Sequence, residues 1–530
     1  MSIARSSVAM ASGTIASRVL GVVRAALLAS VVGLGASGDA FTVANTLPNV
    51  IYLVIAGGVL NSVLVPQLVK AAKNPDGGAE FTNRLLTITI SAMLVITVLA
   101  TALAGVFVTL FANRFAGSTY TLAVSFAVIC LPQIFFYGIY ALLGQVLNAR
   151  GRLLAFGWAP AAANVVAIAA LVVFPLRYAV QQPPSAWTMD MVWLLAGSST
   201  LSVMVQGAVV VAALWRTGFR YRPVWGFRGV GLRATSTVAG WAFAALLVSQ
   251  AGYAILTNVL SRATDAGEPA SSVQSSAMLI FMLPHSLAAL SLITALYPRM
   301  SAAIRDGDSR AVRSDYGRGI VLPAAFTIPA MVGWSIVAVP AVTVLFDVSQ
   351  RQQEATALAA AIMLLGVVPF GVDVLNQRVF YALEDGRTAF RVQLVLTGVA
   401  TLVNLGALLA APSLTVPIAA AGLVVSNLTS SSVGAWLVRR RLGLLGGRAI
   451  FRTLARILTA SLLAGLIAWP ATLGAARWLP DTRPGNLLVA AVGGLFFSAA
   501  YLLLVYVLQI RPVLDILAPF ARRLPVLRSL

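Results

Sequence analysis

Apolar stretches longer than 18 residues recur along the whole length of this chain, joined by short polar connections. Each is long enough to cross a hydrocarbon core of about 30 Å as a helix, and a helix satisfies its own backbone hydrogen bonds where no water is present. The alternating pattern of a membrane barrel does not occur. Charged residues make up 10% of the 530, against about 25% in a soluble globular protein. The chain therefore reads as an all-α polytopic membrane protein with no soluble domain left over. Fourteen transmembrane helices are expected, centred near Gly21, Ile55, Val98, Phe135, Val166, Met204, Leu247, Ser286, Pro329, Leu365, Leu402, Val425, Leu463 and Ser498.

The charge is strongly unbalanced, with 37 Lys and Arg against 16 Asp and Glu. If the N-terminus is cytoplasmic, most of the basic residues fall in the inside segments. The heaviest clusters, Arg216, Arg220, Arg222, Arg228 and Arg233, then Arg439, Arg440, Arg441, Arg448, Arg452 and Arg456, lie on that same side. This bias predicts a multi-pass protein with both termini cytoplasmic and an even number of spans. It accounts for the net charge of +21 through anionic headgroups, with no nucleic acid as partner. The tail from Arg511, with Arg522, Arg523 and Arg528 among leucines, is expected to lie on the cytoplasmic surface. A cleavable signal peptide is not expected, because the first span carries two charges and no clean cleavage site. The single cysteine, Cys130, excludes a disulfide framework and is expected to be a small buried residue.

Two pairs of segments look alike at a shared offset of roughly 233 residues. Leu64-Val65-Pro66-Gln67-Leu68-Val69-Lys70-Ala71-Ala72-Lys73 resembles Leu296-Tyr297-Pro298-Arg299-Met300-Ser301-Ala302-Ala303-Ile304-Arg305, and Arg150-Gly151-Arg152-Leu153-Leu154-Ala155-Phe156 resembles Asp385-Gly386-Arg387-Thr388-Ala389-Phe390. The repeat predicts two pseudo-symmetric six-helix lobes, 1–222 and 223–445, two additional helices over 446–510, and the cytoplasmic amphipathic tail 511–530. Six is even, so both copies enter the membrane in the same sense, as in transporters with parallel repeats.

Arg18 and Arg24 sit deep inside the first apolar span. A guanidinium near the bilayer centre costs about 2.5–3.5 kcal/mol on insertion scales, so such residues usually face a polar interior. Two of them on one helix point to an internal anion site. The second span begins at Asp39, which either caps the helix or carries charge inside the protein, and continues through Asn45, Pro48, Asn49, Gly57, Gly58 and Asn61. Pro48 should bend that helix. Gly57 and Gly58 suit close packing or a hinge. In span 7, Gln250 and Asn258 share one face. In span 10, Asp373 and Arg378 are about 140° apart around a helix, so each needs another partner; both are candidates for ion coupling. The lone histidine, His285, is more often a hydrogen-bonded helix residue than a ligand. Catalytic pairs, nucleotide loops and metal-ligand spacings do not appear, so the chain is not expected to be an enzyme or to carry a cofactor or metal. Any work must then come from a monovalent ion, the membrane potential or downhill substrate flux.

Ser17-Arg18-Val19-Leu20-Gly21-Val22-Val23-Arg24, then Asp39-Ala40-Phe41-Thr42-Val43-Ala44-Asn45-Thr46-Leu47-Pro48-Asn49, then Val65-Pro66, resembles the N-terminal signature of the MurJ (MviN-type) lipid II flippases of the multidrug/oligosaccharidyl-lipid/polysaccharide exporter superfamily. The likeness implies a bacterial plasma-membrane transporter that carries lipid II, an undecaprenyl-diphosphate disaccharide-pentapeptide, from the cytoplasmic to the outer leaflet by alternating access. It implies a cationic central cavity and a groove for the lipid tail lined by the two extra helices. Arg18 and Arg24 match the family's cavity arginines, and Asp39 and Asn49 its signature positions in the second helix. Ser17, Asn45, Tyr52 and Gln250 complete the implied substrate-binding set. The chain departs from the family at Ala25, where an acid is common, at Tyr52 and Leu279, where cavity arginines are expected, and in span 7, where Gln250 or Asn258 stands nearest to an acidic sodium ligand. Membrane lipids are the other expected partners, with a monomer sufficient, alongside cell-wall synthesis proteins. An exporter of another undecaprenyl-diphosphate glycan or of drugs, and a non-transporting scaffold, are the alternatives.

Overall fold

A computed structural model describes residues 3–55, 79–149, 153–226, 237–286, 290–443 and 445–515. The helices are α1 (Ile3–Val32), α2 (Ala36–Ile55), α3 (Ala79–Ala102), α4 (Ala104–Phe111), α5 (Gly117–Cys130), α6 (Gln133–Ala149), α7 (Leu153–Arg177), α8 (Met189–Val192), α9 (Ser198–Trp215), α10 (Thr237–Asp265), α11 (Ser271–Pro284), α12 (Leu290–Arg305), α13 (Ser309–Leu345), α14 (Gln350–Leu364), α15 (Val367–Ala382), α16 (Gly386–Gly406), α17 (Thr415–Leu442), α18 (Gly447–Trp478) and α19 (Arg483–Val507). No strand occurs among the described residues. Eleven helical segments among them are long and apolar enough to cross a membrane, and the pair α14–α15, bent by 48°, makes a twelfth span. These match twelve of the expected centres. The remaining two, near Ile55 and Ser286, lie where the described residues break off. Gly57, Gly58, Asn61, the repeat segments at 64–73 and 150–152, Arg228, Arg233 and the tail from 516 fall outside the described residues.

The breaks within spans have identifiable causes. Pro132 removes a backbone donor between α5 and α6. The Ile129 carbonyl there accepts a hydrogen bond of 2.7 Å from Thr200 Oγ1 of α9. Between α14 and α15, Gly366 lets α17 approach: a Cβ at this position would stand 3.2 Å from Val424 Cα. Between α1 and α2 the chain turns at Gly33, whose φ of 83° favours glycine, and a Cβ on Gly38 would lie 2.2 Å from the Gly33 carbonyl oxygen. That tight corner sets Asp39 in the first turn of α2.

The contacts divide the chain into two compact units, Met1–Ser272 and Val273–Leu530. In the first, α1 lies along α7 through small residues. A Cβ on Gly13 would stand 2.7 Å from the Gly157 carbonyl, and Asn164 Nδ2 donates to the Ser17 carbonyl at 2.9 Å and to its hydroxyl at 3.3 Å. Small residues and side-chain amides are what hold helices together where lipid offers no hydrophobic drive. In this unit α10 is joined to α4 by Asn258, whose Nδ2 donates to the Leu110 carbonyl while its Oδ1 accepts from Asn113 N–H at 2.9 Å. Ser261 Oγ adds a 3.4 Å bond from Arg114 N–H.

In the second unit, α18 and α19 pack on α13. Ala324, Ala325, Ile328 and Val332 meet Ala460, Ala464, Phe497 and Tyr501 there, and the Tyr501 hydroxyl donates to the Ala325 carbonyl at 3.2 Å. Between α13 and α19 runs an apolar cavity of about 460 Å³, lined by Phe326, Pro329, Gly333, Phe497 and Leu502 among others.

Candidate functional site

The described part of α2 has two unlike faces. Phe41, Val43, Ala44, Leu47, Pro48 and Val50 are buried. Thr42, Asn45, Thr46 and Tyr52 are half-buried and Asn49 is exposed. At about 100° per residue these five positions fall on one stripe. A polar stripe left open on a membrane helix is costly against lipid unless its groups find polar partners.

The stripe is bonded to α6, and through it to α9. Gln133, only 1% exposed, donates from Nε2 to Asn45 Oδ1 at 3.3 Å and to Thr200 Oγ1 at 3.2 Å. Tyr137, one turn later, donates to Gln133 Oε1 at 3.4 Å. Its ring lies 5.8 Å from that of Tyr52. The Cys130 thiol donates to Asn45 Oδ1 at 3.7 Å and is fully buried. Tyr137, Tyr52, Gln133, Thr200 and Asn45 thus form one polar cluster spanning three helices of the first unit.

Arg18 is half-buried on α1 like Arg24, but the two are about 120° apart around the helix and about 9 Å apart along it. They do not form one clamp. Neither is ion-paired with a carboxylate among the described residues. Ser17, the neighbour of Arg18, is engaged by Asn164. Gln250 is half-buried on α10.

Asp39 is 0% exposed and fully engaged. Its Oδ2 accepts from Thr264 Oγ1 at 2.6 Å, and its Oδ1 accepts from Ser272 N–H at 2.7 Å and from Ser272 Oγ at 2.6 Å. The carboxylate caps the start of α11 rather than its own helix, and no ligand can approach it in this conformation.

In the second unit, Asp373 and Arg378 of α15 are not paired with each other. Asp373 accepts from Gln377 Nε2 at 2.9 Å, while the Arg378 guanidinium lies over the Tyr297 ring, 5.6 Å from its centroid. His285, 3% exposed, packs its ring on Phe370 at 4.5 Å. No cluster of three or more His, Cys, Asp or Glu suited to a metal occurs among the described residues.

Gln133, Tyr137, Thr200 and Asn164 were absent from the residues singled out in the sequence. The one signal for them was Pro132-Gln133 inside an apolar span, with Tyr137 four residues on.

Comparison with known proteins bears on the whole chain. Residues 28–488 match the family model described as lipid II flippase MurJ. A probable lipid II flippase MurJ from Rhizobium meliloti (strain 1021) is 28% identical over 528 residues, covering 94% of each chain. A lipid II flippase MurJ from Burkholderia cenocepacia is 27% identical over 399 residues, covering 74% of this chain and 76% of the relative. Among solved structures, lipid II flippase MurJ in an inward closed conformation matches with a TM-score of 0.72 at 17% identity, covering 94% of this chain and 99% of that one. An inward-facing multidrug resistance MATE family transporter of the MOP superfamily matches at 0.64 and 16% identity, covering 81% and 95%.

Proposed function

Because the chain belongs to the lipid II flippase MurJ family, we propose that it moves lipid II from the cytoplasmic to the outer leaflet of the bacterial plasma membrane by alternating access, as a transporter that performs no covalent chemistry. The observation that carries this reading is the pair Arg18 and Arg24 on the apolar helix α1, with no carboxylate paired to either among the described residues. A guanidinium presents forked donors that suit diphosphate oxygens, and it stays charged at depths where an amine would not.

In this reading Arg24, Tyr52 and Asn45 contact the diphosphate and the first sugar, Asn49 and Gln250 reach more distal groups, and Arg18 with Ser17 guides entry. Asp39 acts at a distance, holding Ser272 at the start of α11 by two bonds and Thr264 near the end of α10 by a third. The protein works as a monomer with cytoplasmic termini, alongside cell-wall synthesis proteins. A monovalent ion gradient or the membrane potential drives it. Drug export is the weaker alternative, because the intramembrane charges on α1 are basic and suit an anion.

The test is reconstitution into vesicles with lipid II and, separately, another undecaprenyl-diphosphate sugar. Arg24→Ala should abolish lipid II translocation, and complementation of flippase-depleted cells, while the protein still accumulates in the membrane. Unchanged translocation by both Arg18→Ala and Arg24→Ala would refute an anion site on α1.

A further inference from the structure

We propose that Tyr52 and Tyr137 form an aromatic platform on which an N-acetylated sugar of the lipid-linked substrate stacks, with Gln133 as the residue that positions it. The inference rests on the lipid II reading and narrows it, because it names the chemical part of the substrate that these side chains meet. Tyr52 of α2 and Tyr137 of α6 are both half-buried, and their rings stand 5.8 Å apart, tilted by 39°. Asn45 lies two turns before Tyr52 on the same stripe of α2, and Gln133 lies one turn before Tyr137 on α6. The contacts Asn45–Gln133 and Tyr52–Tyr137 therefore come in the same order along both helices, which places the pair of rings beyond the pair of amides. Asn49, which is exposed, lies on the stripe between Asn45 and Tyr52.

Hydrogen bonds fix the platform. Thr200 Oγ1 donates its one proton to the Ile129 carbonyl at 2.7 Å, so toward Gln133 Nε2, 3.2 Å away, it can only accept. Gln133 Nε2 also donates to Asn45 Oδ1 at 3.3 Å. With the amide nitrogen so engaged, Gln133 Oε1 is left to the Tyr137 hydroxyl, which donates to it at 3.4 Å. Tyr137 is thus held by its oxygen, and a ring already ordered loses little freedom when a ligand settles on it. An aromatic face is apolar and electron-rich, which suits the C–H groups on one side of a pyranose and the methyl of an N-acetyl group. The exposed amide of Asn49 suits the hydroxyl and amide groups of the same sugar. The charge of the substrate is left to the guanidinium groups of α1.

The test compares two ligands on the full-length protein in nanodiscs: lipid II, and undecaprenyl diphosphate, which has the phosphates and the prenyl chain but no sugar. Tyr52→Leu and Tyr137→Leu should each weaken lipid II binding about tenfold, the scale of one lost stacking contact, and leave undecaprenyl diphosphate within about twofold of wild type. Tyr137→Phe keeps the ring and removes only the bond to Gln133, so its loss on lipid II should be smaller, about threefold. Gln133→Leu should likewise weaken lipid II alone, a ligand-selective loss that general loosening of the fold does not produce. Arg24→Ala should weaken both ligands. Undiminished lipid II binding by both leucine variants, or equal losses for the two ligands in them, would overturn the platform and leave the flippase reading standing. A wild-type protein that bound neither ligand would bring down that reading and the platform with it.

Discussion

Removing the Asp39 carboxylate should destabilise the first unit by an amount set by one particular donor. Three donors converge on it, the Thr264 hydroxyl, the Ser272 hydroxyl and the Ser272 N–H. The two hydroxyls can rotate toward carbonyls of their own helices when the carboxylate is gone. The Ser272 N–H cannot, because it lies in the first turn of α11, where no intrahelical carbonyl is within reach. In Asp39→Ala it becomes an orphaned buried donor, which costs about 1–3 kcal/mol, and the small cavity adds about 1 kcal/mol. The relief of carboxylate desolvation offsets part of this, so the net loss should be about 2–3 kcal/mol. In Asp39→Asn the amide oxygen still serves the Ser272 N–H, and Thr264 turns to accept from the new NH₂ group. Only charge assistance is lost, about 1 kcal/mol. Ser272→Ala removes one hydroxyl bond and should also cost about 1 kcal/mol. The assay is denaturant unfolding of the three variants in one detergent, followed by tryptophan fluorescence. If Asp39→Asn were as damaging as Asp39→Ala, the negative charge and not the placement of an acceptor would be what matters, and the capping argument would fail.

Three further outcomes follow from the same contacts. Arg24→Lys should slow lipid II translocation about tenfold, because a point charge replaces a two-pronged donor; wild-type rates in the vesicle assay would rule out bidentate recognition. Gln133→Leu and Asn45→Ala should show a coupling of about 0.6–1 kcal/mol in a double-mutant unfolding cycle, and additive losses would mean that their 3.3 Å contact does no work. Gly13→Val should cost about 1–3 kcal/mol in thermal unfolding, since even its Cβ would stand 2.7 Å from the Gly157 backbone; a neutral result would show that α1 and α7 do not meet there.

The membrane class was legible because it rests on a property repeated along the whole sequence, a hydrophobic length matched to the bilayer. The angular relation of Asp373 and Arg378 was legible too, since 100° per residue already separates them, and they do take different partners, Gln377 and the Tyr297 ring. The same arithmetic applied to Arg18 and Arg24 separates them by about 120°, so a joint clamp was not implied by their shared helix. Asp39 was read as either a local cap or an internal charge. It is a cap, but on a helix start more than two hundred residues away in sequence. Gln133, Thr200 and Asn164 escaped for a similar reason. Nothing in an amide's sequence neighbours specifies which distant carbonyl or amide it will meet. A single polar residue in an apolar span only requires that some partner exist.

The absence of carboxylates paired with Arg18 and Arg24 among the described residues also sets how this carrier should respond to voltage. The negative charge of the diphosphate offsets the two guanidinium charges of α1 wherever each sits, so the loaded carrier is close to neutral, whereas the empty one is positive. In alternating access only the empty return then moves net charge, and an inside-negative potential pulls that charge inward. Two charges crossing half of a 100 mV field gain about 2.3 kcal/mol, close to fiftyfold in the return equilibrium. Collapsing the potential in vesicles should therefore slow multiple turnovers while sparing the first delivery of lipid. Arg24→Gln removes one charge and should reduce the voltage sensitivity to its square root, about sevenfold, measured on whatever transport remains. Equal voltage dependence in this variant and the wild type would mean that the moving charge is carried elsewhere in the protein.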